Sequence, residues 1–274
     1  MKSHKTAKNV QMYIGAGIVL FFVFIAIFAP LLAPHDPLEI IVTRRLLPPS
    51  SDHLLGTDDL GRDNLSRILY GARVSLTVGI LATAIGATVG VLFGILAGYF
   101  GGKLDSLIMR IIDVLLAFPG LLLAIAIVTV LGSSTRNVIL AVAIFAVPGF
   151  ARIVRGATLN VKKLEYIDAI RAVGANDFRI IFVHILPNVI SPIIVQATLN
   201  VGGAIVTAAA LSFLGVGTPP PTPEWGAMVD RGRAFLYQAP HMIYFPGLMI
   251  FLLVVGINLF GDGLRDYLEP KKTR

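Results

Sequence analysis

Residues 75–100 contain no Asp, Glu, Lys or Arg across 26 consecutive positions, and Gly, Ala, Val, Leu and Ile dominate the run. As a helix it would be about 39 Å long, enough to cross a hydrocarbon layer of about 30 Å. In lipid every backbone N–H and C=O must be satisfied internally, so this run has to be a helix among other helices. Gly79, Gly86, Gly90, Gly94 and Gly98 recur at spacings of mostly four. Small residues on one stripe let helix backbones approach closely, which predicts that this span is buried against its neighbours. The rest of the chain has the same character: 55% hydrophobic and 14% charged residues, with a mean hydropathy of +0.80. Soluble domains are about a quarter charged, so this composition excludes a conventional water-facing surface. With no cysteine, disulfides, iron–sulfur clusters and thiolate chemistry are excluded too. The net charge of +7 fits orientation in a bilayer better than binding to nucleic acid, because the basic residues flank apolar runs.

Five more spans follow from the pattern. Lys2, Lys5 and Lys8 precede an apolar run at residues 13–32. That run is longer than a signal-peptide core, lacks a small-x-small site and stops at Pro34, so it reads as an uncleaved first span. A polar region at 35–74 comes next. Asp58 or Asp59 is placed to cap an interfacial amphipathic helix with Leu60, Leu65, Ile68, Leu69 and Ala72 on one face. Asp58, Asp59 and Asp63 match no calcium loop and no His or Glu is seen to complete a site, so capping and Arg–Asp pairing, with Arg62, Arg67 and Arg73 flanking the apolar face, is the better account. The third span, 107–131, carries Arg110 and Asp113 at a spacing that pairs them. The fourth is 138–153, with Arg152 and Arg155 at its exit. The fifth, 190–214, carries Ser191, Gln196, Asn200, Thr207 and Ser212. Such groups are costly against lipid and should face other helices or a watery cavity, which makes Gln196, Asn200, Thr207 and Ser212 candidates for a solute pathway. Trp225 is expected at the membrane interface, before an amphipathic piece at 228–237 and a last span at 245–260. Pro119-Gly120, Pro148-Gly149 and Pro246-Gly247 are expected to bend or loosen three spans. Six spans put both termini on one side. Fourteen Lys and Arg fall on that side against eight on the other, so the termini are expected in the cytoplasm.

Enzymatic signatures are missing. There is no G-x-x-x-x-G-K-[ST] for binding ATP and no nucleophile constellation. His4, His35, His53, His184 and His241 are scattered along the chain and suggest no metal site.

One long polar, basic interruption breaks the second half of the chain, at residues 160–188. Residues 162–173 are helix-forming, with Leu164, Ile167 and Ile170 on one face. Gly174 is placed to end that helix. Asn176 or Asp177 can cap a second one leading to Leu186-Pro187. The expectation is a stiff corner that protrudes from the membrane and docks in a partner's groove.

This corner resembles the E-A-A-x3-G-x9-I-x-L-P motif of ATP-binding-cassette (ABC) importer permeases. Asp168-Ala169-Ile170, Gly174 and His184-Ile185-Leu186-Pro187 keep its spacing, with Asp for Glu, Ile for the second Ala and His184 at the Ile position. H-L-L-G-T-D-D-L-G-R-D-N-L-S-R, L-S-F-L-G-V-G-T-P-P-P-T-P-E-W-G and G-D-G-L-R-D-Y-L-E-P resemble the second permease subunit of dipeptide, oligopeptide and nickel importers. The resemblance implies an all-α polytopic membrane protein: six transmembrane helices in the type I ABC importer permease fold, with a cytoplasmic coupling helix. It divides the chain into a cytoplasmic start and first span (1–34), an extracytoplasmic region (35–74) and a core permease domain (75–274) whose coupling loop is 157–188. Coupling to the ATPase would fall to Asp168, Ala169, Ile170, Gly174, Ala175, Asp177, Leu186 and Pro187. The implied partners are a homologous permease, two ABC ATPase subunits that hold the ATP and Mg, an extracytoplasmic substrate-binding protein and membrane lipid in a bacterial or archaeal inner membrane. No catalytic residue, cofactor or metal is implied in this chain. Di- or oligopeptides are the expected cargo, with nickel or another small solute as the alternative. A self-sufficient secondary transporter or channel is the rival from a different class, with Asp113 as its available intramembrane acid.

Overall fold

The computed structural model describes the backbone of residues 2–268 and the side chains of residues 10–268. The side chains of Lys2, Lys5, Lys8, Lys271, Lys272 and Arg274, used above for orientation, lie outside the described residues, as does that of His4. Among the described residues there is no strand. The helices are α1 (Lys2–Leu32), α2 (Asn64–Phe100), α3 (Gly102–Ala117), α4 (Gly120–Leu131), α5 (Thr135–Lys162), α6 (Glu165–Ala172), α7 (Asp177–Arg179), α8 (Leu186–Phe213), α9 (Trp225–Arg233) and α10 (His241–Leu268). A π-helical turn, Ile180–Ile185, makes α7 and α8 one continuous helical run.

Five of these stretches are long and apolar enough to cross a membrane. The sixth expected span is not a single rod, because α3 and α4 meet at 90°. The break falls at Phe118-Pro119, both extended, where proline removes a helix donor and drives the residue before it out of the helical region. The other two Pro-Gly steps leave α5 and α10 continuous, with Pro148 and Pro246 inside them.

The first surprise against the sequence reading is α2. Its cap is Asp63, whose carboxylate accepts from the Ser66 N–H at 2.7 Å, rather than Asp58 or Asp59. No separate interfacial helix precedes it. The amphipathic turn with Ile68, Leu69 and Ala72 is the first part of a helix that runs unbroken to residue 100, through the boundary drawn at residue 75. Its 37 residues make it about 55 Å long. The glycine stripe behaves as expected. A Cβ on Gly86 would lie 2.7 Å from Ala146 Cβ, one on Gly90 2.5 Å from Phe150 Cβ, and one on Gly94 2.7 Å from the Ala151 carbonyl. Bare backbone on α2 is what lets α5 lie against it, and α2 and α5 form the centre of the bundle. Gly79 faces α8 instead, at Ile205.

A second close pair is α1 with α10: a Cβ on Gly15 would strike the Phe260 nitrogen and the Gly256 carbonyl. Trp225 joins this side of the core and is not an interfacial anchor. It is 1% exposed, its ring meets Phe22 edge-on, and its indole N–H donates to the Ile68 carbonyl at 3.0 Å. That bond satisfies the polar end of a ring otherwise enclosed by Phe22, Ile68, Ala72 and Met228.

Candidate functional site

At one end of the bundle the chain leaves α5 and builds the corner. Helix α6 is shorter than the sequence suggests, starting at Glu165 after Lys163 and Leu164 leave the helix. Its end is a complete Schellman motif. The Gly174 N–H donates to the Arg171 carbonyl at 3.0 Å, and the Ala175 N–H reaches back to the Ile170 carbonyl at 3.3 Å. Gly174 has φ +87°, the left-handed conformation in which this motif places glycine. Ile170 and Ala175 supply the accompanying apolar contact. Asn176 then caps α7, accepting from the Arg179 N–H at 2.9 Å. Two helix ends are thereby satisfied within five residues, and the corner holds its shape without a partner.

The expected apolar face is divided: Leu164 is exposed, Ile170 is partly buried and Ile167 turns inward. Ile167 is fully buried with Ile180, Ile181, Ile185 and Val189, so this part of the face pins the corner to the bundle. The large apolar side chains exposed at the corner include Val173, 84% exposed, and Phe178, 69% exposed, along with Leu164 and Phe182. Asp168 and Ala169 are also exposed, and Asp168 has only a loose pairing with Arg171 at 3.4 Å. Leu186 packs beneath the corner, while Pro187 is exposed at the second position of α8. Pro187 also explains the π-helical turn. Its ring would clash with the carbonyl four residues earlier, that of Val183, and it offers no N–H. The helix widens over Ile180–Ile185, and the neighbouring His184 carbonyl accepts from the Asn188 side chain at 2.6 Å.

Asp177 has a different task from capping. It accepts a hydrogen bond from the Tyr99 hydroxyl at 2.5 Å. Tyr99 stands at the end of α2, 3% exposed, with the Arg171 guanidinium 5.9 Å and the Lys162 ammonium 5.7 Å from its ring centre. The Lys162 ammonium also donates to the Tyr99 carbonyl at 2.6 Å. One tyrosine therefore joins α2, α5, α6 and α7. Sequence reading missed it, because its only signal is an aromatic residue near the end of an apolar run.

Of the pathway candidates, Gln196, Asn200 and Thr207 share a face of α8 by their spacings of four and seven. Asn200 accepts from the Thr83 hydroxyl on α2 at 3.2 Å. Gln196 lies beside the bare backbone of Gly149 on α5. Thr207 donates to the Gly203 carbonyl of its own helix at 2.9 Å. Ser212 stands apart from them. It is buried beneath the loop at the other end of the bundle, where its hydroxyl accepts from the Thr218 N–H at 3.3 Å. Glu224 lies in the same place, accepting from the N–H groups of Gly226 and Ala227, both at 2.9 Å. Burial pushes its carboxyl above the usual carboxylate range, while those donors and Ser212 pull it back.

That opposite end is rich in buried charge. Asp58 accepts from Arg62 at 2.7 Å, with Arg67 at 3.5 Å from the same oxygen, so the expected Asp–Arg pairing is present. Asp59 binds Arg231 at 2.8 Å. A cavity of about 380 Å³ opens among Arg62, Arg67, Ser212, Thr218, Asp230 and Arg231. Asp113, by contrast, does not pair with Arg110. It meets Arg152 of α5 at 2.6 Å, with both side chains more than half exposed.

Comparison with known proteins places this architecture. Residues 90–274 match the model of the binding-protein-dependent transport system inner membrane component. Residues 5–49 match the N-terminal transmembrane domain of oligopeptide transport permease C. The chain is 52% identical over 260 residues to the glutathione transport system permease protein GsiD of Pectobacterium atrosepticum, covering 94% of this chain and 86% of that one. It is 50% identical over 264 residues to the dipeptide transport system permease protein DppC of Alkalihalophilus pseudofirmus, covering 96% and 87%. In fold it is similar to the inward-facing MetNI methionine ABC transporter, with a TM-score of 0.61 at 20% identity over 77% of this chain and 98% of that one. The chain belongs to the binding-protein-dependent inner membrane components: it is a multi-pass inner-membrane permease subunit of an ABC importer.

Proposed function

We propose that this permease imports glutathione-like or short peptides, paired with a second, related permease. In this reading two ATPase subunits bind ATP and Mg and grip the corner, and an extracytoplasmic binding protein delivers the cargo at the opposite end. The observation that carries the mechanism is the Tyr99–Asp177 hydrogen bond. It is a direct polar link between the partner-facing corner and α2, the helix at the centre of the bundle, so a push at the corner is also a push on the core. The named cargo of the relatives supports the substrate class. Gln196, Asn200 and Thr207 then offer amide and hydroxyl groups suited to a peptide backbone passing along α8. The secondary-transporter reading loses its acid, because Asp113 is ion-paired and exposed.

Two measurements test the proposal. Vesicles containing the complete importer with its binding protein should accumulate labelled glutathione or a dipeptide only when ATP is supplied. Accumulation of neither would overturn the substrate class. The chain has no cysteine, so Val173→Cys creates a unique thiol at the corner. A membrane-impermeant maleimide should label it only after the cells are opened, and labelling in intact cells would reverse the orientation.

A further inference from the structure

Two of the scattered histidines are brought together by the fold. His35 follows the end of α1, His53 lies in the loop beyond it, and Asp63 caps α2. One nitrogen from each ring and a carboxylate oxygen lie within 4.8 Å of one another. His53 Nδ1 is 2.9 Å from Asp63 Oδ1, and His35 Nδ1 is 3.8 Å from the same oxygen. The two rings lie 4.8 Å apart at a tilt of 35°. The His53 and Asp63 side chains are 4% and 1% exposed, and that of His35 is 31% exposed.

A hydrogen bond explains only part of this cluster. His53 can donate from Nδ1 to Asp63, but His35 Nδ1 lies beyond hydrogen-bonding distance. His35 Nδ1 and His53 Nε2 are both buried polar atoms without a hydrogen-bond partner, an arrangement that costs stability. The surroundings are built rather than loose. The second Asp63 oxygen takes the Ser66 N–H at 2.7 Å, and the Ser66 hydroxyl accepts from the His35 backbone N–H at 3.1 Å. The His53 carbonyl accepts from Ser50 and Gly56, at 2.9 and 2.8 Å. Two ligand-bearing segments are thus tied through one serine, and the third is held by its own turn.

We propose that His35, His53 and Asp63 form a binding site for a divalent transition-metal ion of the zinc type. Two neutral imidazoles and a carboxylate are a zinc donor set, with bonds of about 2.0–2.1 Å. Tetrahedral geometry at those lengths separates ligand atoms by about 3.3 Å, and the observed 2.9 and 3.8 Å straddle that value. The two histidine nitrogens lie within 4.8 Å of each other, so closing onto an ion asks the rings to approach by up to about 1.5 Å. The partly exposed side of His35 gives an entry path and leaves the fourth position to water. The Asp63 carboxylate stands between the ion and the positive end of α2, which offsets the unfavourable dipole there. Bound in this way, the ion clamps the exit of α1 to the entrance of α2 across the intervening loop. The site is independent of the cargo, and its test does not depend on transport.

The test uses the full-length chain, purified with its partner subunits and with any affinity tag removed. After chelation and dialysis, Zn2+ is titrated and the bound metal counted by mass spectrometry. Co2+ is then substituted as a coloured probe. The wild type should retain one Zn2+ per chain, melt at a higher temperature with the metal, and give the intense visible absorption of tetrahedral Co2+. His35→Phe keeps a ring at the partly exposed position, and Asp63→Asn keeps a good helix cap. Each should weaken Zn2+ binding at least about ten-fold, since even an outer-shell partner is worth about 10- to 100-fold. Zn2+ retention by the wild type no greater than by the two variants would overturn the site. Where a variant fails to fold, the wild-type Co2+ spectrum decides alone: only the weak bands of six-coordinate Co2+ would overturn it as well.

Discussion

The two ends of this bundle solve opposite problems. At the corner, charges are exposed and loosely paired, as with Asp168 and Arg171 at 3.4 Å, and large apolar side chains such as Val173 and Phe178 face outward. At the other end large apolar side chains such as Val42 and Leu54 face outward too, but the buried groups there are ionic: Arg62 is 2% exposed, Asp58 4% and Glu224 4%. The charged end is locked by a buried ion pair, Asp58 with Arg62, and a partly buried one, Asp59 with Arg231. The other is finished in shape, through the Schellman motif and the Asn176 cap, but not in surface. Exposed apolar area on an already rigid element is what a docking surface needs, because little ordering entropy remains to be lost on binding.

Substitutions at the two ends should therefore fail differently. Asp58→Ala leaves Arg62 and Arg67 buried without their carboxylate, and should cost about 3–5 kcal/mol, read as a large drop in melting temperature and in membrane-inserted protein. Gly174→Val has the reverse signature. No atom lies within 4 Å of an added Cβ, so the cost is the left-handed backbone alone, about 1–2 kcal/mol. Insertion should persist while ATP-driven uptake collapses, and normal uptake in vesicles would break the comparison. Tyr99→Phe removes one partly exposed hydrogen bond, worth about 1 kcal/mol. Its mark should be ATP hydrolysis that no longer responds to loaded binding protein.

Glu224 gives a pH test confined to the charged end. Its folded-state pKa is raised from 4.5 by burial. Its contribution to stability is therefore fully present below the free value and lost as pH rises through the folded one. The melting temperature of the wild type minus that of Glu224→Gln should fall across that window, and a flat difference would remove Glu224 as the cause. Smallest of all, Val173→Ser should leave stability unchanged and only weaken co-purification of the ATPase subunit.

Span positions were legible from hydropathy because lipid imposes length and apolarity on any crossing helix. The glycine stripe was legible for a similar reason: only bare backbone admits the contacts made by Gly86 and Gly90. Gly174 followed from helix-ending chemistry. What stayed hidden depends on tertiary placement. Asp58, Asp59 and Asp63 are equally good caps by residue type, but in the fold Asp58 and Asp59 are taken up by Arg62 and Arg231, and Asp63 caps α2. The partners of Asp113, Tyr99 and His53 lie on other elements, and spacing along one helix carries no information about them. The inward turn of Ile167 was missed because an amphipathic face has two possible neighbours, the chain's own core or a partner.

The unbroken length of α2 sets a limit on how the molecule can move. Its first turn is moored among Asp63, Arg67 and Trp225, its last holds Tyr99 beneath the corner, and no proline or loop interrupts the rod between them. A rod of this kind has no joint at which one end can wait for the other. On the coupling proposed above, a rotation begun at the corner would reach the opposite face in the same stroke, with α5 carried along by the glycine contacts. Opening at one face and closing at the other would then be a single event, a seesaw rather than a sequence of gates.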